Sequence, residues 1–301
     1  MPGRRAAVSL ILAAAAWGLG TVVAKRAVSE VPAFTLLAIQ LASSVVVLGG
    51  LMRLCGVPLR DRSTPPILGR LGLLNPGASY GLSLLGLSSI SVSLSVLLWA
   101  LEPLLILLLA AILLRERVGI VVLVLSGTAI AGLAAVAQPA MSASAIGVLL
   151  TIAGVVCCAV YTIVVRSSIG GSDSTAQVVL AQQAYALGLA IAMVAALGLL
   201  GRDPGLGTLT ATGLGSAGLS GVLYYAVAYW FYLTGLRRVP ASIASAAFYL
   251  VPVFGVAGGF AFLGDSLAGG QWLGVAVASA AVLAILARTT RATPVAVQAP
   301  V

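Results

Sequence analysis

Two stretches of the sequence align without a gap at an offset of 149 residues: YGLSLLGLSSISVSLSVLLWALEPLLILLLAAILLRE (residues 80–116) and YWFYLTGLRRVPASIASAAFYLVPVFGVAGGFAFLGD (residues 229–265). Five positions match in residue or in charge: Tyr80 and Tyr229, Gly86 and Gly235, Ser93 and Ser242, Pro103 and Pro252, and Glu116 and Asp265. Both copies place a proline in a long apolar helix and an acid 13 residues later. At an offset of 141, Thr21 matches Thr162 and Lys25 matches Arg166. Together these matches predict an internal repeat.

The repeat predicts the architecture. Each copy has room for five apolar spans, and because five is odd the second copy must cross the membrane in the opposite sense. We predict an all-α polytopic membrane protein with ten transmembrane helices in a five-plus-five inverted repeat. The first repeat is expected at residues 1–140, the second at 141–288, and a disordered cytoplasmic tail at 289–301. Many secondary transporters have inverted repeats, with the substrate site near the bilayer midplane between the halves.

The composition independently indicates a membrane protein. Hydrophobic residues make up 61% of the 301 residues and charged residues only 8%, whereas soluble domains carry about 25% charged residues. Proline, glycine and charged residues separate ten apolar stretches. Each stretch is close in length to the roughly 20 residues that a helix needs to span a bilayer, and each is too long for a strand of a membrane β-barrel. The stretches lie near residues 6–28, 32–54, 67–89, 91–114, 118–138, 146–166, 174–200, 213–237, 240–263 and 269–288.

The basic residues predict the orientation of these spans. With a cytoplasmic N-terminus and ten spans, 13 basic residues fall on the cytoplasmic side and 3 on the other. The cytoplasmic residues are Arg4, Arg5, Arg53, Arg60, Arg62, Arg70, Arg115, Arg117, Arg166, Arg237, Arg238, Arg288 and Arg291, and the others are Lys25, Arg26 and Arg202. The positive-inside rule therefore places both termini in the cytoplasm. Because the basic residues are scattered rather than clustered in a patch, no nucleic-acid partner is expected despite the net charge of +9.

The sequence argues against an enzyme. It contains no histidine, and Cys55, Cys157 and Cys158 do not have the spacing of a metal site. A GxGxxG match at residues 213–218 opens an apolar span with no preceding strand, so it fails the context of a dinucleotide site. A GxSG match at residues 218–221 has no histidine to activate its serine. There is no P-loop either, and we expect no catalytic residue, no cofactor and no metal.

Glu102 is the most informative single residue, because it lies near the middle of the fourth span. A charged side chain at that depth costs about 3 kcal/mol on insertion scales. Ser95, Trp99 and Glu102 are spaced to share one face of a helix. This face suits a water-filled cavity better than lipid, and we expect Glu102 to contact an ammonium group of the substrate or to carry a proton. The alternative is a protonated glutamic acid that is hydrogen-bonded to a neighbouring helix.

Aromatic side chains also cluster at mid-span depth, although Trp and Tyr usually prefer the membrane interfaces. A central pocket for apolar or aromatic groups would account for them, and helix packing with satisfied polar tips is the alternative. The candidates are Trp17, Tyr80, Trp99, Tyr161, Tyr224, Phe248 and Tyr249.

Further candidates are polar residues and prolines within the spans. Thr21, Gln40, Asn75 and Ser79 complete the predicted substrate-binding set, with ordinary interhelical hydrogen bonds as the alternative role. Pro76, Pro103 and Pro252 free backbone carbonyls and permit bends that would suit alternating access. Proline also occurs in membrane helices that have no such role. For Glu116 and Asp265 we expect capping of the helix that follows each of them.

These features resemble the drug/metabolite transporter superfamily, in its ten-helix EamA-like branch. The resemblance covers residues 8–287 and depends on Trp17-Gly18 leading to Lys25, on Pro32, and on the doubled pattern from Tyr80 to Glu116. Two positions depart from the family pattern: Gln40 stands where arginine is frequent, and Asp265 stands where glutamate is usual. The resemblance implies that spans one to four and six to nine surround a central cavity, with spans five and ten at the periphery or at a dimer contact.

The function predicted from residues and resemblance together is secondary active transport of small metabolites by alternating access. The favoured cargo is amino acids or similar amphiphiles, which a multi-pass monomer or weak homodimer exports or exchanges across the cell (inner) membrane. Glu102 is either the ligand of the ammonium group or a site of proton coupling. The partners are then a small-molecule substrate and the lipid bilayer. The alternatives are an exporter of cationic drugs, a nucleotide-sugar-type exchanger, and a scaffold or channel without coupled transport.

Overall fold

The computed structural model describes residues 2–28, 30–59, 65–87, 89–90, 92–137, 144–170, 174–201, 209–263 and 269–291. Throughout these ranges the regular structure is helical. The predicted all-α class is therefore confirmed. The last helix continues to Arg291, beyond the predicted start of the tail at residue 289, and the remainder of that tail lies outside the described residues.

The helices of the first half are α1 (Pro2–Val28), α2 (Ala33–Leu54), α3 (Pro66–Gly72), α4 (Ser79–Leu87), α5 (Val92–Trp99), α6 (Glu102–Leu113) and α7 (Ile120–Ala137). Those of the second half are α8 (Ala145–Ser168), α9 (Thr175–Leu199), α10 (Ala211–Gly221), α11 (Ala228–Leu236), α12 (Ala241–Ala244), α13 (Leu250–Leu263) and α14 (Gly269–Arg291). A π-helical turn joins α3 to α4 (Leu73–Ala78) and another joins α10 to α11 (Val222–Val227), while a 3-10 turn joins α12 to α13 (Ser245–Tyr249).

Seven helices within the described ranges are long and apolar enough to cross a membrane. They are Arg4–Ala24, Ala33–Leu54, Ala145–Ser168, Thr175–Leu199, Ala211–Leu236, Ala241–Phe262 and Gly269–Arg288, and two shorter apolar helices are Glu102–Leu113 and Ile120–Ala135. The third and fourth predicted spans are not continuous helices. Asn75 has extended backbone angles (φ −146°, ψ 123°) inside the third, and the fourth is interrupted between Trp99 and Glu102.

The three in-span prolines explain where several of these breaks fall. Pro103 is the second residue of α6, Pro252 lies in the first turn of α13, and Pro76 lies inside the first π-helical turn. Because proline has no N–H, it cannot donate the hydrogen bond that would continue a helix through its own position. A window average of hydropathy does not detect this missing donor, and so the breaks interrupt stretches that are uniformly apolar.

The two π-helical turns occupy matching positions in the two halves, because residues 73–78 and 222–227 are separated by the repeat offset of 149. Each turn is preceded by a glycine that packs directly on the backbone of a helix from the other half. Gly72 lies against the backbone of Gln182 on α9, and Gly221 lies against the backbone of Gln40 on α2. A side chain at either glycine would overlap that backbone, so these contacts bring the two halves together at equivalent points.

The remaining helix contacts also pair the halves. Helix α2 packs on α9, α4 packs on α8, and α1 packs on α10, α11 and α13. Helices α7 and α14, which correspond to the predicted fifth and tenth spans, pack extensively against each other. The buried core accordingly runs through both halves as one large apolar cluster.

Candidate substrate cavity

A cavity of about 360 Å³ lies between the two halves, within the roughly 300–1,000 Å³ usual for small-molecule sites. Its walls come from α1, α4 to α8, α11, α13, the two π-helical turns and the 3-10 turn. No residue of α2, α9 or α14 is among its described lining residues. The described lining residues thus come from six of the eight spans that the resemblance implies, and from α7, the fifth span, which the resemblance places at the periphery.

Eleven of the thirteen predicted substrate-binding residues line this cavity: Trp17, Thr21, Asn75, Tyr80, Ser95, Trp99, Glu102, Tyr161, Tyr224, Phe248 and Tyr249. The prolines Pro103 and Pro252 line it as well. Gln40 and Ser79 do not. Gln40 donates from Nε2 to Ser220 Oγ over 2.9 Å, and Ser79 donates to Asn75 Oδ1 over 2.5 Å. Gln40 therefore makes the interhelical bond that was its alternative role, whereas Ser79 makes a bond within its own span, which was not predicted.

Glu102 is the first residue of α6, at the break that separates α5 from α6. Its side chain is only 4% exposed, and its Oε1 atom has no hydrogen-bond partner. The thiol of Cys158, from the second half, lies beside the carboxyl group. A helix N-terminus favours a negative group, but a buried carboxylate oxygen without a donor is costly. Oε1 of Glu102 is therefore an acceptor to which a bound ligand could donate a hydrogen bond.

Nine of the 21 residues that line the cavity are aromatic, and their rings reach across the two halves. The ring of Trp17 lies 5.5 Å from that of Tyr229, 5.6 Å from Tyr232 and 5.2 Å from Phe248, measured between centroids. Tyr80 makes a second cluster, 5.5 Å from Trp99 and 5.9 Å from Tyr224. Such edge and tilted contacts hold the rings in fixed orientations. The cavity is therefore a preformed apolar site with few polar groups.

Several polar atoms of the wall have hydrogen-bond partners within the protein, either in the wall or behind it. Tyr161 donates to Gln182 Oε1 over 2.8 Å, and the hydroxyls of Thr162 and Tyr232 lie 3.3 Å apart. Trp17 and Tyr249 are exceptions, because Trp17 Nε1 and Tyr249 Oη are buried without a hydrogen-bond partner. An indole N–H can only donate a hydrogen bond. Trp17 therefore offers an unpartnered donor, whereas Glu102 offers an unpartnered acceptor.

The lining residues occur in pairs that are related by the repeat. At the offset of 149, the pairs that both line the cavity include Asn75 and Tyr224, Tyr80 and Tyr229, Trp99 and Phe248, Glu102 and Val251, and Pro103 and Pro252. Tyr229 and Thr162 were absent from the predicted set, although their matches to Tyr80 and Thr21 could have identified them. Cys158 lies at the offset of 141 from Trp17, but the two residues differ in type, and Tyr232 carried no comparable signal.

Comparison with models of protein families identifies the family of this chain. The model of the EamA-like transporter family matches the chain twice, at residues 4–138 and at residues 145–287. The chain belongs to the EamA-like transporter family. It is a multi-pass membrane protein of a transporter family, and the family implies a small-molecule substrate and a lipid environment.

Other comparisons support the fold of this EamA-like protein without adding a function. No curated protein sequence matches the chain. A solved structure whose title is "Crystal structure of protein" superposes with a TM-score of 0.75 over 95% of this chain and 96% of the other, at 19% identity. At that identity the likeness concerns the fold alone.

The EamA-like chain also has two carboxylates that join its halves away from the cavity. Glu116 accepts hydrogen bonds from the backbone N–H groups of Ala241 (2.8 Å) and Ser242 (3.0 Å), and from Ser242 Oγ (2.6 Å). Glu30 accepts from the backbone N–H and the hydroxyl of Thr210, both 2.9 Å from Oε2. The expectation that Glu116 caps the following helix is therefore wrong. It caps α12 of the other half, because the chain turns away after α6 while the free N–H groups of α12 lie beside it. Asp265 lies outside the described residues.

Proposed function

We propose that this EamA-like protein is a secondary active transporter that moves small amine-bearing metabolites, amino acids or their derivatives, by alternating access around the aromatic cavity. The observation that carries the proposal is Glu102, a buried carboxyl with an unpartnered oxygen in a cavity whose walls come from both halves. The cation–π attraction of the surrounding rings adds to the attraction of the carboxylate for an ammonium group.

The proposed architecture is the ten-span inverted repeat with both termini in the cytoplasm, in the inner membrane. It is supported by the double family match, by the matching π-helical turns and by the 13-to-3 distribution of basic residues. The third and fourth spans are then the broken helices, as is common at transporter sites near the midplane. We propose export as the direction, a monomer or weak homodimer as the state, proton coupling through Glu102, and no catalytic activity.

A phosphate-bearing cargo, as in nucleotide-sugar exchange, is disfavoured. Phosphate recognition uses Arg or Lys, and neither residue is among the described residues that line the cavity.

The test is counterflow in proteoliposomes that contain the purified chain. Vesicles loaded with a panel of unlabelled amino acids, amines and nucleotide sugars should accumulate labelled cargo only when the internal solute is a substrate. Saturable exchange of at least one amine-bearing solute is expected. Leakage that does not saturate would indicate a channel, and no exchange with any solute would indicate a scaffold.

Sidedness is tested separately by labelling single cysteines placed near Arg60 and near Asp265 with an impermeant thiol reagent. The proposed topology puts them on opposite sides of the membrane. Labelling of both from one side would contradict both the orientation and the inverted repeat.

A further inference from the structure

We infer that the cavity selects protonated amines whose second polar group is neutral, such as the amino alcohols, amides or esters of apolar amino acids, over the parent zwitterions. The inference names the substrate class of the proposed transport function and rests on that function. Binding of the substrate can nevertheless be measured separately from its transport. It follows from the charges and the unpartnered atoms of the cavity wall.

Charge balance is the first step. Glu102 is the single acid among the described lining residues, and Lys and Arg are absent from that set. An ammonium group beside the carboxylate of Glu102 makes a neutral pair inside an apolar site. A zwitterion in the same place adds a carboxylate with no cation to match it. A buried charge that lacks a partner is expensive, by several kcal/mol after relaxation, so the zwitterion should bind less well.

The second step concerns the other unpartnered polar atoms of the wall, Trp17 Nε1 and Tyr249 Oη. Trp17 Nε1 is a buried donor without a partner, in the same cavity as Glu102. Its N–H can satisfy one acceptor, and a hydroxyl, amide or ester oxygen provides one without bringing charge. The hydroxyl of Tyr249 adds a second neutral group, but neutral groups alone do not compensate a buried carboxylate, since charged groups are stabilised inside proteins by opposite charge together with several hydrogen bonds. The pair of Glu102 and Trp17 thus matches an ammonium and a neutral acceptor.

The apolar remainder of the cargo faces the rings. Tyr80, Trp99 and Tyr224 form one cluster, and Trp17, Tyr232 and Phe248 form the other. Aromatic or bulky aliphatic side chains can bury their surface here, and the removal of this apolar area from water favours binding.

Lys25 requires its own arm of the experiment. It lies four residues after Thr21 on α1, so its backbone position is on the cavity-facing side of that helix. Its side chain lies outside the described part of the chain, and a lysine that reached the cavity would supply the cation that a zwitterion needs.

The experiment uses Cys158, which lines the cavity, as a reporter in the full chain with Cys55→Ser and Cys157→Ser, because neither of these other thiols lines it. A small thiol reagent modifies Cys158, and a bound ligand should slow that reaction. The probes share one side chain: phenylalaninol, phenylalanine and N-acetylphenylalaninamide. The same probes are then used in counterflow. Glu102→Gln and Lys25→Gln are each made in this background.

Phenylalaninol should protect Cys158 at a concentration at least about tenfold lower than phenylalanine does, because the zwitterion leaves its carboxylate unpaired. N-Acetylphenylalaninamide, which has no ammonium group, should protect weakly. Glu102→Gln should remove the difference between the first two probes, and Lys25→Gln should not change it.

Equal or stronger protection by phenylalanine would overturn the inference, and loss of that preference in Lys25→Gln would identify Lys25 as the missing cation. Protection by none of the probes would overturn it as well. If phenylalaninol protects as expected but no probe exchanges, the selectivity stands while the proposed transport function fails, so the two are separable.

Discussion

The two walls of the cavity have equivalent positions and different chemistry. The first half contributes Asn75, Trp99 and Glu102, and the second half contributes Tyr224, Phe248 and Val251 at the same offsets. A twofold arrangement of helices brings both sets to one place, but only one set includes a charge. The comparison teaches that the repeat determines where side chains point, whereas the difference between the copies determines where a cargo's ammonium group would lie.

The largest expected effect comes from removing that one charge. Glu102→Gln keeps the size and hydrogen-bonding capacity of the side chain but cannot ionise, so an ammonium cargo would lose its partner. Loss of one member of a buried ion pair costs about 3–5 kcal/mol, and exchange of amine cargo should fall at least about 100-fold. Counterflow measures this loss, and thermal unfolding in detergent should show that the variant remains folded.

The pH dependence of the same variant separates the two roles of Glu102. If its carboxyl carries the coupling proton, wild-type exchange should change with pH as that group titrates, and the Gln variant should not show this change. If Glu102 is only an ammonium ligand, the variant should retain exchange of neutral cargo. If Glu102→Gln transports every cargo at the wild-type rate at every pH, Glu102 is a packing residue. The charge would then not be a functional difference between the two walls.

Moving the carboxyl group from one wall of the cavity to the equivalent position in the other wall tests the comparison directly. Val251 occupies the position in the second half that Glu102 occupies in the first. Glu102→Val should be inactive, and adding Val251→Glu should restore amine exchange about tenfold over the single variant, since one ion pair of roughly 1.4 kcal/mol suffices for that factor. Failure of the double variant, with folding intact, would mean that the local surroundings of Glu102 matter more than the presence of a charge.

The contacts that hold the walls together should behave symmetrically. Gly72→Ala and Gly221→Ala each force a methyl group onto the backbone of a helix from the other half. Overpacking of this kind costs about 1–3 kcal/mol, and both variants should lower the midpoint of thermal unfolding by similar amounts. Gly188 is the matched control, because it lies in a helix with open space around its Cα. A marked difference between Gly72→Ala and Gly221→Ala would show that the halves do not share these contacts equally.

Much of this arrangement can be predicted from the sequence, and the missing parts have identifiable causes. The repeat is visible because proline, glycine and acid recur at one offset, and Glu102 is visible because a charge in an apolar span is conspicuous. The breaks at Asn75 and before Glu102 depend on backbone geometry that hydropathy does not report. Gln40 was indistinguishable from a cavity residue, since the partner that occupies it, Ser220, is 180 residues away.

The smallest expected effect concerns Glu116, which belongs to the first half but caps α12 of the second. In the proposed topology this contact closes the cytoplasmic end of the bundle, while Glu30 with Thr210 closes the opposite end. Alternating access requires each end to open in turn, so each carboxylate should bias the equilibrium toward closure at its own end. Loss of a helix cap costs about 1 kcal/mol, which corresponds to a shift of about fivefold in a two-state equilibrium. Glu116→Ala should therefore raise the reaction rate of Cys158 with an impermeant reagent applied from the cytoplasmic side. Glu30→Ala is the matched variant, and it should raise the rate from the other side. If both variants change access from the same side, or neither changes it, the two carboxylates stabilise the fold without controlling which end is open.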